Sequence, residues 1–413
     1  MRQVKGIIKK ILSFFKSIYS FFVLSRTKHK RKEHKAVIPV LFVCQMPQLW
    51  GKLKPVYEAL KEDKAFCVTI LAVPDLADKS GVNQCYRFFS EKYTDVINAK
   101  TDQGWYALNK NEYEYVFFQR PYDSYLPRCY RSSAFVRFCK ICYISYGYLL
   151  TKTNEELCMD KAFFNHVYFY FAENEYVKKY NADRYPHSHK KGIRNSVFLG
   201  YPSLIDMQKA QNNVQKKDKE RVSVIWTPRW TTNANVGGSN FFRFKDDILR
   251  FFHNNEEYAF TFRPHPMMFD NFLKTGEMSP EDVSSLKETI EKSSSMELDT
   301  KAEYFETFWQ TDILVTDVSS VIMEYLLTGN PIIYCKSGIV PNEFMQEILS
   351  VCYCVEDWEQ IEDTLESLKN GQDRLKEKRF ELSQKFKREN DLNTPYRIRD
   401  MIKEDYGEGS CKK

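Results

Sequence analysis

The stretch from Thr311 to Lys336, TDILVTDVSSVIMEYLLTGNPIIYCK, constrains the fold more than any other part of the chain. It reads as a buried strand, a Ser-Ser turn, a helix, a Gly-Asn-Pro stop and a second buried strand. Strands joined through a helix run parallel, and parallel sheets are covered by helices on both faces, so this βαβ unit predicts an α/β architecture. In an open parallel sheet, ligands sit beyond the carboxyl ends of the strands, where a helix start offers unpaired N–H groups and a positive dipole end. Ser319 and Ser320 occupy that turn. Asp317 and Ser319 are also good helix caps, so a capping role stands beside a ligand role for both. A capping box would require Glu or Gln three residues after the cap, where Ile322 or Met323 stands instead. Glu324 lies four residues past Ser320, about one helical turn or ~6 Å along the axis. That matches the reach from a diphosphate to ribose hydroxyls, although a solvated helix position accounts for a glutamate equally well.

A chain of 413 residues exceeds one ordinary core. Its 43% hydrophobic and 15% aromatic content suffices for two. Strand-like runs at Val40–Cys44, Cys67–Val73, Tyr115–Gln119, Cys142–Ser145 and Tyr168–Ala172 alternate with helix-like spans in the first half. The pattern resumes at Val222–Trp226, Tyr258–Phe262, Ile313–Thr316 and Pro331–Cys335. Between the halves, NNVQKKDKER is polar and suits a linker. The expected fold is α/β, with two Rossmann-like domains facing a cleft, 36–208 and 209–413, preceded by an N-terminal segment 1–35. The tail NTPYRIRDMIKEDYG is expected to form a closing helix against the first domain.

Three loops of the second half follow strands and share one rim: TPRW after VSVIW, RPHP after YAFTF, and DVSS after DILVT. Arg229 and Arg263 carry the planar fork that grips phosphate oxygens in pairs. His265, between Pro264 and Pro266, can donate a hydrogen bond or move a proton near neutral pH. A proline-stiffened loop whose polar groups satisfy only its own backbone is the plainer reading of either residue alone. Convergence of three loops favours a site.

Charge is concentrated at the start. Residues 1–35 hold eleven Lys/Arg against one Glu, a net +10 in a chain of net +6, which leaves the rest at −4 and argues against nucleic acid as a partner. On a helical projection Ile7, Ile8, Ile11, Phe14, Phe15, Ile18, Phe21 and Phe22 share one side, with Lys5, Lys9, Lys16, Ser13, Ser17 and Ser20 on the other. Such a helix followed by RTKHKRKEHK fits an anionic membrane surface. Lysines interrupt every window long enough to span. A cleaved signal and a helix docking a partner protein are the alternatives. The eleven cysteines show one C-x2-C, Cys139 and Cys142, without a second pair, which reads as free thiols in a reducing compartment rather than zinc.

The motifs WTPRW, FRPHP and DILVTDVSSVIMEYLLTGNPIIY, with LGYP at 199–202 and LWGKLKPVYEAL, together resemble the CDP-glycerol glycerophosphotransferases of the teichoic-acid primase and polymerase type. The likeness spans most of residues 40–350 and is densest in the second domain. It implies a GT-B arrangement and a transferase at the cytoplasmic face of the membrane. That enzyme would move a phosphopolyol from a CDP-activated donor to a hydroxyl of a lipid-linked acceptor and release CMP, with no cofactor and no bound metal. By the same resemblance His265 and Arg263 match the family's Arg-x-His-Pro, Ser319 and Ser320 its diphosphate-binding turn, and Glu324 stands where the family has Asp. The family's first-domain His-Gly pair, whose histidine is the acceptor base, is matched by Tyr146 and Gly147. A tyrosine with its ordinary pKa near ~10 is a poor base at neutral pH. Two other readings stay open: a GT-B glycosyltransferase using a nucleotide sugar for surface polysaccharide, and a membrane adaptor that has lost its chemistry.

Overall fold

The structure, a computed structural model, describes residues 2–28, 35–76, 83–159, 162–214, 220–236, 238–301 and 303–408. The chain forms two compact units. The first comprises Met1–Tyr148, Glu156–Ile205 and Asn390–Lys413, and the second Leu149–Glu155 and Asp206–Glu389.

The main sheet of the first unit has seven described strands: β1 (Ile38–Cys44), β2 (Phe66–Ala72), β3 (Val96–Asn98), β4 (Tyr115–Phe118), β5 (Lys140–Ile144), β6 (Val167–Phe171) and β7 (Asn195–Val197). They pair in parallel in the order β3-β2-β1-β4-β5-β6-β7. This extends the doubly wound order 3-2-1-4-5-6, whose reversal falls between β1 and β4. Central strands such as VYFYF are buried along their whole length, as a sheet covered on both faces requires. Phe42 and Phe117 stack across β1 and β4 at 4.8 Å between centroids.

Two helices complete this unit. The C-terminal helix (Thr394–Glu408) packs on the helix Lys54–Glu62. Its Asp405 accepts hydrogen bonds from Tyr115 (2.6 Å), Lys140 (2.5 Å) and Tyr168 (2.7 Å), which stand at the starts of three adjacent strands. The boundaries expected from sequence change accordingly: Asn390–Lys413 belongs with the first unit, because its buried carboxylate is a shared acceptor for that sheet.

The N-terminal helix α1 (Arg2–Lys28) is the second. Ser17, Ser20, Leu24 and Thr27 recur along one face and are buried. Ser20 donates to the Asn165 carbonyl (3.0 Å), Thr27 donates to the Val136 carbonyl, and buried Arg194 donates to Ser20 (2.8 Å). Ser17 and Ser20, expected beside the lysines on a water-facing side, instead form the docking stripe. Small hydroxyl residues let the helix approach closely and supply hydrogen bonds to carbonyls that strand and loop ends leave over. The opposite face, with Ile8, Ile11, Leu12, Phe14, Phe15, Tyr19 and Phe22, is exposed. The side chains of Lys5, Ile7 and Lys9 and residues 29–34 of the basic run lie outside the described residues. Among the described residues no helix is long and apolar enough to cross a membrane.

The second unit repeats the plan with six parallel strands: β8 (Val222–Thr227), β9 (Tyr258–Phe262), β10 (Met296–Leu298), β11 (Ile313–Thr316), β12 (Ile332–Cys335) and β13 (Tyr353–Val355). The order is β10-β9-β8-β11-β12-β13, with the reversal between β8 and β11. Trp226 pairs in register with Phe262, and Thr227 with Thr316, so β8, β9 and β11 end level and their following loops share one rim. An aromatic core of Trp226, Phe241, Phe262 and Phe272 lies under that rim. The Thr227 hydroxyl donates to that of Thr316 at 2.8 Å, tying the two switch-point strands at their ends.

Candidate active site

The three loops expected from sequence do gather on the rim of the second unit. Asp317, the first residue after β11, is buried and organises two of them. Its carboxylate accepts from the backbone N–H of Arg229 (2.9 Å), from the Asn240 side chain (2.8 Å) and from the Asn240 backbone (3.3 Å). Burial raises its pKa against the pull of these donors. Asp317 therefore does not cap the following helix; it ties the loop after β8 to the segment before Phe241. Helix α2 (Val321–Leu326) has Ser320 at its N-cap without a side-chain capping bond. The capping alternative for Ser319 and Ser320 thus reduces to one long contact, 3.5 Å from Val321 N–H to the Ser319 hydroxyl.

Arg229 donates from Nη1 to the Val318 carbonyl at 2.5 Å, which lays its guanidinium against the Ser-Ser turn. Its Nε is buried without a hydrogen-bond partner among the described residues. Burial lowers the Arg229 pKa, and the neighbouring Asp317 works against that. His265 lies close enough to feel this cation. Its pKa is held down to about 4, first by burial and then by Arg229. Nδ1 of His265 accepts the Met267 backbone N–H at 3.1 Å, so the neutral ring carries its proton on Nε2. The Trp230 ring stands 6.4 Å away.

Arg263 does not present a free fork. Nη1 donates to buried Asp299 at 2.7 Å and Nη2 to the Lys301 carbonyl at 2.9 Å, while its Cζ stands 4.1 Å over the Tyr304 ring. The charge is thus already paired inside the protein, where the sequence alone suggested a fork open to phosphate. Tyr304 in turn donates to Oε2 of Glu324 at 2.7 Å. Asp299 and Tyr304 were not singled out from sequence. They follow β10, a three-residue strand too short to leave a periodic pattern, yet one that ends on the same rim.

In the first unit Tyr146 and Gly147 follow β5. The Tyr146 hydroxyl lies 2.5 Å from that of Tyr122, and Lys52 Nζ stands 5.6 Å from its ring centroid. Burial raises the pKa of both tyrosines. Tyr146 is thus held protonated, in keeping with the reading from sequence that a tyrosine here is a poor base. Gly147 has no positive φ, and a Cβ there would meet only Lys52 Nζ, at 3.9 Å. No described group of three His, Cys, Asp or Glu could hold a metal ion.

Two Rossmann-like units of this topology, with a cationic, hydroxyl-rich rim at the switch point of the second, are the GT-B type of fold. Over residues 151–404 the sequence matches the family CDP-Glycerol:Poly(glycerophosphate) glycerophosphotransferase, and the chain belongs to that family. It is a CDP-glycerol glycerophosphotransferase-like transferase. Among solved structures it is similar to the wall teichoic acid polymerase TagF soaked with CDPG, at 14% identity over 98% of this chain and 97% of that one, TM-score 0.53. The S. aureus MnaA–UDP co-structure is similar at 12% identity over 89% and 96%, TM-score 0.61. So is the UDP-GlcNAc 2-epimerase from Neisseria meningitidis bound to UDP-GlcNAc, at 12% identity over 89% and 99%, TM-score 0.54. No curated protein matches the sequence.

Proposed function

We propose that this enzyme transfers a phosphopolyol, glycerol phosphate or a close relative, from a CDP-activated donor to a hydroxyl of a lipid-linked acceptor in the synthesis of a cell-surface polymer, teichoic acid or capsule. The observation that carries this reading is the meeting of Arg229, His265 and the Ser319-Ser320 turn at the β8/β11 switch point, in a chain of this family. TagF soaked with CDPG shares the fold and supports the choice of donor.

In this mechanism the donor diphosphate rests on the Ser319 and Ser320 hydroxyls and N–H groups. Arg229 and the Nε2–H of His265 stabilise charge on the bridging and departing oxygens. The acceptor oxygen forms a bond to the polyol-bearing phosphorus as that phosphorus breaks from the bridging oxygen, whose electron pair leaves with CMP, and the hydroxyl proton is lost late, to a phosphate oxygen or water. A bound diphosphate offsets the Arg229 charge, so donor binding relieves one of the two causes that hold the His265 pKa down. A loose phosphoryl-transfer transition state ionises the attacking hydroxyl little, so the step makes a modest demand on a base. Glu324 holds the ribose hydroxyls.

The exposed Phe/Ile face of α1, beside a basic run, supports a peripheral position on the cytoplasmic face of an anionic membrane. Docking through Ser17, Ser20 and Thr27 fixes the direction in which that face points from the first unit. The test is incubation with CDP-glycerol labelled in the polyol and a membrane lipid fraction. The expected result is label in the lipid phase with equimolar CMP; label transfer from a UDP-sugar instead would overturn the reading.

A further inference from the structure

We propose that Asp299, Arg263 and Tyr304 form a positioning relay that presents the Glu324 carboxylate to a ribose, so that ribonucleotide selectivity depends on two residues, Asp299 and Tyr304, outside the conspicuous motifs. The inference rests on the transferase reading only in taking the ligand to be a nucleoside diphosphate.

Each link is fixed by the one before it. Asp299 is 1% exposed, and its carboxylate is anchored by the Lys301 backbone N–H at 3.0 Å as well as by Arg263 at 2.7 Å. Arg263 is pinned at the backbone too, its N–H donating to the Trp226 carbonyl at 2.9 Å. A guanidinium held by a buried carboxylate and a carbonyl cannot swing out to a ligand without leaving Asp299 as an uncompensated buried charge. Its flat face is instead spent on the Tyr304 ring. Tyr304 also packs against Phe308, with ring centroids 5.0 Å apart, so the ring is gripped from a second element. Its hydroxyl donates to Oε2 of Glu324 at 2.7 Å.

A glutamate at a half-buried helix position has three rotatable bonds and loses entropy whenever it must hold a ligand in one geometry. The Tyr304 hydroxyl removes part of that cost by fixing the carboxylate in advance. Carboxylate orientation matters most for a vicinal diol, which is read by two hydrogen bonds at once. Selectivity for ribose should therefore collapse when the relay is cut, while diphosphate binding at Arg229 and the Ser-Ser turn persists.

The experiment is calorimetric titration of the full chain with CDP and with 2′,3′-dideoxy-CDP, repeated with the uridine pair. The wild type is expected to bind the ribonucleotide about 10-fold or more tighter, the scale of charge-assisted hydrogen bonds. Tyr304→Phe and Arg263→Lys should each cut this ratio about 5-fold or more, leaving dideoxynucleotide affinity within about 2-fold, because lysine cannot reproduce the fork and phenylalanine lacks the donor. Glu324→Gln should give the same pattern more strongly. The relay is overturned if both variants keep the wild-type ratio, if the wild type shows no preference for ribose, or if the variants weaken both nucleotides equally. A uridine preference with the ribose ratio intact would contradict the CDP donor and sustain the relay. Absence of binding by any nucleotide to the wild type would overturn both.

Discussion

The backbone N–H of Met267 donates to Nδ1 of His265 at 3.1 Å, which fixes the ring's only remaining proton on Nε2. With burial and Arg229 holding the pKa down to about 4, the free enzyme presents a neutral donor rather than an imidazolium over the whole neutral range. The role proposed for His265 is accordingly to stabilise charge by donating a hydrogen bond. This sharpens the expectation from sequence, which allowed either donation or proton transfer.

His265→Ala should lower kcat/KM by about 100-fold or more, the scale of losing a donor at a developing charge. His265→Gln restores an N–H and should recover at least about 10-fold of that loss. Equal loss in both variants would point to proton transfer instead.

The pH profile gives an independent reading of the same ring. A histidine whose folded pKa is depressed stays neutral until the pH falls well below 6.5. The acid limb of kcat/KM, which reports the free enzyme, should then lie near 4 rather than between 6 and 7. An inflection near 6.5 that disappears in His265→Gln would contradict the neutral-donor role.

Tyr146→Phe should leave kcat within about 3-fold of wild type, because burial keeps the Tyr146 hydroxyl protonated and Tyr122 already pairs with it. Stability should fall by about 1 kcal/mol for the lost hydrogen bond. A loss of 100-fold in kcat with stability unchanged would assign Tyr146 to the chemistry.

On α1, Phe14, Phe15 and Phe22 are each more than 60% exposed, so replacing them with Glu removes no packing from the first unit. The triple variant should keep its melting temperature and lose at least about 10-fold in partitioning to anionic vesicles, since each buried Phe contributes about 1.5–3 kcal/mol. Unchanged vesicle binding would refute the membrane-facing assignment.

Asp405→Ala leaves Lys140 without its carboxylate and removes the shorter acceptor of the Tyr115 hydroxyl and the carboxylate acceptor of Tyr168. Unfolding free energy should drop by about 3 kcal/mol, with the C-terminal helix becoming the first protease-sensitive segment. An unchanged urea midpoint would show that the helix is held by its apolar contacts alone.

Much of the fold was legible in the sequence, because nine strands are segments of four or more residues dominated by apolar side chains and appear at the expected places. The four strands of the two main sheets that escaped, Val96–Asn98, Asn195–Val197, Met296–Leu298 and Tyr353–Val355, are three-residue strands at the sheet edges, too short to show a period. The rim loops were legible for the same reason, as polar motifs directly after long strands. What the sequence hid is pairing at a distance. Arg263 finds Asp299 across 36 positions, a contact that no local pattern around the FRPHP motif announces. Likewise, the amphipathicity of α1 marks two faces without saying which one docks. Hydrogen bonds from Ser20, Thr27 and Arg194 decide it, and their partners lie more than a hundred residues away.

The donor is the central claim, and thermal stabilisation tests it most directly, because a ligand that binds only the folded chain raises the melting temperature through linkage. With CDP-glycerol, CDP-ribitol, CMP, CDP, UMP and UDP-sugars tested at equal concentration, the account predicts cytidine-selective stabilisation that is largest for a CDP-polyol. Stabilisation by UDP-sugars without a response to CDP-polyols would contradict it and mark the chain as a user of nucleotide sugars.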